Sequence, residues 1–185
     1  MKLQKGFTLI ELLIVIGVLG ILATGLLAAV DPFEQLKKAR DANNRNAVIE
    51  LHNATTRYYA THAALPWDET SATQACKDAL LPGGTRSTVG VTLTAATTCV
   101  TMLETDGELK TGFVNAIGAA QAAKTYVVSP STTQVVVCFS PEGKGLFNDA
   151  LTKYNSSGTD VSATTCSQSA KAGLSPGTTC FWCVR

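Results

Sequence analysis

Charge is scarce in this chain. Asp, Glu, Lys and Arg make up only 16% of its 185 residues, against roughly a quarter in ordinary globular proteins. The 15 basic and 14 acidic side chains leave a formal balance of +1. That argues against nucleic-acid binding driven by net charge, although it leaves room for a local patch. Aromatic residues reach only 6% and give no reason to favour electron transfer. No proline precedes Pro32 and no cysteine precedes Cys76. Between Leu12 and Val30 there is no charge at all. With 45% apolar residues the chain is not disordered throughout, and its length suits one ordinary domain plus an extension.

The uncharged run is the chain's most unusual feature. Its 19 residues would form roughly 28 Å of helix, the thickness of a bilayer's hydrocarbon core. Ahead of it, Met1 to Gly6 carries Lys2 and Lys5 and no acid. Such a segment stays on the cytoplasmic side by the positive-inside rule. An ordinary secretory signal is the competing reading, with Ala23, Ala28 and Ala29 imitating its small-residue cleavage site. The run is longer than the usual apolar core of such a signal. It also carries one acid, Glu11, near its start. A carboxylate in an apolar span is costly and calls for a partner.

Gly6-Phe7-Thr8-Leu9-Ile10-Glu11-Leu12-Leu13-Ile14-Val15-Ile16 resembles the leader junction and first helix of type IV pilins and related pseudopilins. The resemblance is strong over about the first 30 residues and weak over the next 30. It implies an α+β fold: a long N-terminal helix, half apolar and half amphipathic, bearing a small antiparallel sheet as its head. It implies that prepilin peptidase cuts between Gly6 and Phe7 and N-methylates Phe7. It also implies that Glu11 faces the Phe7 ammonium of an adjoining subunit as both leave the membrane for a helical homopolymer. Two buried opposite charges need one another, and the pair acts as a register device rather than as a source of net stability. Removing Lys2 and Lys5 changes the side-chain balance from +1 to −1, that is, from 15 − 14 to 13 − 14.

The expected organisation is a leader at 1–6, a transmembrane and filament-core helix at 7–30, an amphipathic helix at 31–62 and a disulfide-linked head at 63–185. The precursor would cross the inner membrane once with its N-terminus inside, and the assembled product would be an extracellular pilus. An assembly ATPase and a platform membrane protein would drive extraction from the bilayer. Many bacterial pilins carry a proline inside the apolar run; this chain has Gly17, Gly20 and Gly25 instead. A stretched segment in the filament therefore belongs around Gly25 to Pro32, glycine being a weak helix former. Close helix packing is the other reading of these glycines.

Asp31, Pro32 and Glu34 read as a helix start. The helix then carries Phe33, Leu36, Val48, Leu51, Ala54 and Tyr58 at helical spacing, with a polar gap from Ala39 to Arg45. The charge-rich part from Arg40 to Asn46 reads either as a stalk or as the solvated face of a core helix. Asp68–Leu80 predicts a short helix ended by Pro82-Gly83-Gly84. Val89–Leu93 and Thr98–Leu103 read as weak strand or loop, and Glu108–Ala123 as partly helical. Thr125–Val128 and Gln134–Phe139, around Ser129-Pro130-Ser131-Thr132-Thr133, predict a hairpin. Leu146–Tyr154 is mixed, and Ser156–Thr179 reads as a surface loop.

Six cysteines, Cys76, Cys99, Cys138, Cys166, Cys180 and Cys183, suit disulfides in an exported chain. Fifteen pairings exist and spacing does not choose among them. The working arrangement joins Cys76 to Cys99, Cys166 to Cys180 and Cys138 to Cys183. Cys180-Phe181-Trp182-Cys183 has redox spacing, but no helix can follow to activate the first thiol. His52 and His62 read as structural or solvated. Asp106, Glu108 and Asp149 fit no standard calcium loop. Asn53-Ala54-Thr55 and Asn155-Ser156-Ser157 match a glycan-acceptor pattern only weakly. Gly83-Gly84 lacks the lysine of a phosphate loop. The chain therefore reads as a structural subunit serving adhesion, motility or DNA uptake, with no catalytic residues, cofactor or metal and with any surface or DNA ligand unknown. A minor pilin or a secretion or competence pseudopilin is the alternative. A secreted soluble domain cleaved near Ala23 to Ala29 is a second.

Overall fold

A computed structural model describes residues 6–29, 31–177 and 179–185. Most of the expected leader, residues 1–5, lies outside them. The chain divides into two units, one ending at Leu36 and the other beginning at Lys37.

The first unit is dominated by α1 (Leu9–Ala29). Its side chains are apolar round the whole circumference, so the helix has no polar face to turn to water. The stretch Leu9–Leu27 is long and apolar enough to cross a membrane, and none of it is buried within the subunit. Thr24, its one hydroxyl, donates back to the carbonyls of Gly20 and Ile21, which leaves no unsatisfied donor. Asp31 then starts α2 (Pro32–His62): its carboxylate accepts from the amides of Phe33 and Glu34 at 3.1 and 3.3 Å. Proline at the first position loses only an amide that would have had no partner.

The second unit packs a sheet against the remainder of α2. Residues Asp41, Asn44, Val48, Leu51, Thr55 and Tyr58 are all buried, and their spacing of three and four traces one face of the helix. The stalk reading of Arg40–Asn46 is thereby overturned. Asp41 is 2% exposed and accepts from the backbone amides of Glu142 and Gly143 at 2.8 and 2.7 Å. Conversely, Phe33 and Leu36, which fit the apolar repeat, are 73% and 60% exposed. The buried face starts with an acid because two backbone donors await Asp41 there.

Five strands are described: β1 (Val91–Thr92), β2 (Thr125–Val128), β3 (Val136–Phe139), β4 (Thr152–Tyr154) and β5 (Phe181–Val184). They form one antiparallel sheet in the order β1-β2-β3-β5-β4. The hairpin pairs Thr125 with Phe139 and Val128 with Val136. Alternation then sorts the side chains. Val127, Val137, Phe139 and Trp182 join α2 in the main core, whereas Val128, Val136, Cys138 and Phe181 form a second cluster. Gly158, at φ +70°, lies against that second cluster; a Cβ there would come within 2.8 Å of Val136 Cγ1.

Short helices fill the connections: α3 (Gln74–Leu80), α4 (Thr97–Thr105), α5 (Phe113–Ile117), α6 (Ala119–Ala122), α7 (Lys144–Phe147) and α8 (Gln168–Lys171). The helix α4 replaces the strand or loop expected over Thr98–Leu103. Its threonines favour strands by propensity. Here Thr97, Thr101 and Thr105 each donate to the carbonyl four residues back, while Cys99, Val100 and Leu103 are buried at helical spacing. The break between α5 and α6 falls at Gly118, whose φ of +90° ends the first and starts the second. The loop expected over Ser156–Thr179 is not all surface. Lys171 on α8 is 3% exposed, with Nζ donating to the Asp149 carbonyl at 2.7 Å.

Candidate functional site

The start of α1 gathers the residues singled out by the motif. Gly6, Phe7 and Thr8 precede the helix and are exposed, Phe7 at 86%. Thr8 and Glu11 close a capping box, the threonine just outside the helix and the acid at its third position. Glu11 Oε2 accepts from the Thr8 amide at 2.9 Å and from the Thr8 hydroxyl at 2.8 Å; the Glu11 amide points back at Thr8 Oγ1, 3.4 Å away. Both bonds fall on one carboxylate oxygen. Glu11 is thus held within its own subunit by a neighbour three residues away. Thr-x-x-Glu ahead of an apolar run is itself the sequence signature of this cap.

Beyond the cap, α1 offers only bare surface. Leu9, Ile10, Leu13, Ile16, Leu19 and Leu22 are all between 58% and 82% exposed. Gly17, Gly20 and Gly25 have nothing within 4 Å of where a Cβ would sit. Gly25 lies inside α1 and Pro32 opens α2, with Asp31 outside both helices.

In the head, disulfides join Cys76 to Cys99, Cys138 to Cys183 and Cys166 to Cys180. The first ties α3 to α4. The second links residues directly opposite one another on β3 and β5. Cys180 and Cys183 each bond a distant partner, so the Cys-x-x-Cys segment is not a dithiol pair.

The other polar candidates disperse. His52 Nδ1 is buried without a hydrogen bond, while His62 stacks on Tyr58 at 4.0 Å and holds Nε2 3.6 Å from Asp106. Glu108 pairs with Arg57 at 2.7 Å, and Asp149 accepts from the Leu151 amide. Among the described residues no group of three His, Cys, Asp or Glu could hold a metal ion. Asn53 is exposed on α2, but Thr55 of the same triplet is 1% exposed and donates to the Leu51 carbonyl. Asn155 Oδ1 accepts from the amides of Ser157 and Thr159.

Electrostatics concentrate around Glu142, beside α2. Glu142 pairs with Lys124 at 2.7 Å and with Arg40 at 3.1 Å. The Lys124 hydrogen bond, followed by the charges of Lys124, Arg40 and Lys37, holds its carboxyl below the usual glutamate range against the opposing effect of burial. Burial, and next the charges of Glu69 and Asp106, push the Tyr58 phenol up. Burial lowers the Lys171 amine.

Part of the chain resembles known proteins. Residues 1–27 match the family model for the prokaryotic N-terminal methylation motif. The chain is 43% identical over 74 residues to the type IV major pilin protein PilE of Neisseria gonorrhoeae, covering 38% of this chain and 41% of that protein. It is 42% identical over 74 residues to a fimbrial protein of Neisseria meningitidis serogroup B, covering 38% of this chain and 40% of the relative. The match thus spans about two fifths of these relatives' length. No solved structure gives a significant match.

Proposed function

We propose that this chain is a structural subunit of a type IV pilus, made as a membrane-anchored precursor and polymerised through α1. The observation that carries the reading is the methylation motif set on a bare helix, apolar on all sides, that the subunit itself does nothing to cover. Lipid covers such a helix first. Neighbouring copies of the same helix cover it afterwards.

The chemistry follows from the cap. Prepilin peptidase cuts the exposed Gly6–Phe7 bond, which frees the Phe7 amine, and then methylates it. A methylated amine stays cationic at neutral pH. In the lipid-embedded precursor the Thr8 amide and hydroxyl satisfy Glu11, which lowers the cost of an acid in the span. On assembly a neighbour's Phe7 ammonium comes to the same carboxylate, and a subunit without that partner carries an uncompensated buried charge. The pair thus selects register. The apolar surface of α1 moves from one dry environment to another, so burial alone does not drive extraction. A platform protein and a cytosolic ATPase supply that work. The segment from Gly25 to Pro32 is where the helix stretches as the subunit enters the filament.

The precursor sits once across the inner membrane with its N-terminus inside, and the product is an extracellular fibre. Its role is mechanical, in adhesion, motility or DNA uptake, and not enzymatic. Electron microscopy of sheared surface fibres tests the reading. Wild-type cells should yield fibres built of this chain. The Glu11→Ala variant should leave the precursor in the membrane at normal levels and yield few fibres or none. Normal fibres from that variant would refute the pairing role.

A further inference from the structure

The head carries a groove of about 450 Å³ beside α2. Its apolar lining comes from Ala47, Phe113, Ala116 and Ile117, and its charged lining from Glu50, Lys110 and Arg40, the last already paired with Glu142. The side-chain oxygen of Gln121, also in the lining, is buried and accepts no hydrogen bond. A buried acceptor without a donor is costly, and the lining is the apolar centre and charged rim of a protein interface. Some other charges of the head are spent internally, as in Arg57–Glu108 and Arg86–Asp68. Glu50 and Lys110 have no ion pair among the described residues.

The same chain carries a surface of matching character. Phe33 and Leu36, on the first turns of α2 just beyond the apolar span, are 73% and 60% exposed. Lys37 follows them and has no ion pair among the described residues. Lys37 and Glu50 stand 13 positions apart on one helix, roughly 20 Å, so they do not meet within a subunit. In an open polymer a patch on one copy meets a different patch on the next.

We infer that the groove between α2 and α5 receives the first turns of α2 of a second copy, with Phe33 and Leu36 against its apolar lining and Lys37 facing Glu50. This rests on the filament reading and assigns it a contact outside the α1 bundle. An amide or ammonium of the entering copy supplies the donor that Gln121 lacks.

Two experiments on fibres of the full chain test it. In the first, a photoreactive phenylalanine takes the place of Phe33. Irradiated fibres should give dimers cross-linked to peptides within 40–50 or 110–121; cross-links only elsewhere on the neighbour would overturn the inference. In the second, Ala116→Trp fills the groove at an exposed position. Fibre yield should fall by about tenfold, the equivalent of one lost anchor, while thermal unfolding of the head is unchanged. Unchanged yield would overturn the inference and leave the filament reading standing. An absence of fibres from wild type as well would remove both.

Discussion

Glu11 has two roles available to it, and they can be separated at the level of single residues. As a cap it needs Thr8; as a register device it needs a neighbour's amine. Thr8→Ala removes the hydroxyl bond but keeps the acid. It should weaken the first turn of α1 by about 1 kcal/mol and leave fibre formation largely intact. Glu11→Ala should abolish it. Equal loss in the two variants, scored as fibre mass per cell, would mean that capping is all Glu11 does. Asp41 is a second residue whose place defies its character, an acid 2% exposed on the buried face of α2. Asp41→Ala strands two backbone amides and should destabilise the head by about 2–4 kcal/mol in chemical denaturation. Retention of wild-type stability would show those bonds to be worth little.

Elements that rest on local chemistry were legible in the sequence. The apolar run, the Asp31-Pro32 start and the hairpin around Ser129–Thr133 each depend on residues within a few positions of one another. What failed depends on distance or competes with propensity. The buried polar stretch on α2 could not be read, because the donors to Asp41 lie 101 and 102 residues away. The Thr-rich α4 competes with propensity: threonine favours strands, and only in the folded helix do Thr97, Thr101 and Thr105 donate to the carbonyls four residues back. Disulfides also set an order of stability. In the chain-entropy account, removing Cys138–Cys183, separated by 45 residues, costs about 4 kcal/mol. Removing Cys166–Cys180, separated by 14, costs about 3 kcal/mol. Paired Cys→Ala variants should melt in that order, and the reverse order would point to strain or residual structure instead.

At the scale of the whole molecule, the head responds to pH while the apolar helix has little to titrate. Glu142 has its folded value depressed, chiefly by Lys124, so the stability it contributes is fully present above the ordinary glutamate range. That contribution drains away as pH falls through the depressed value. Denaturation of the head should therefore become easier on acidification below the ordinary range, and Glu142→Gln should flatten that dependence. An unchanged slope in the variant would assign the acid sensitivity to other groups.

The account depends on one helix being kept through processing and used twice, first in lipid and then among its own copies. Mass spectrometry of the mature protein, with sequencing of its N-terminus, examines this most directly. The chain should begin at Phe7 and be heavier than its unmodified sequence by one methyl group on that amine. A mature chain beginning between Ala23 and Ala29, with the apolar helix gone, would contradict it.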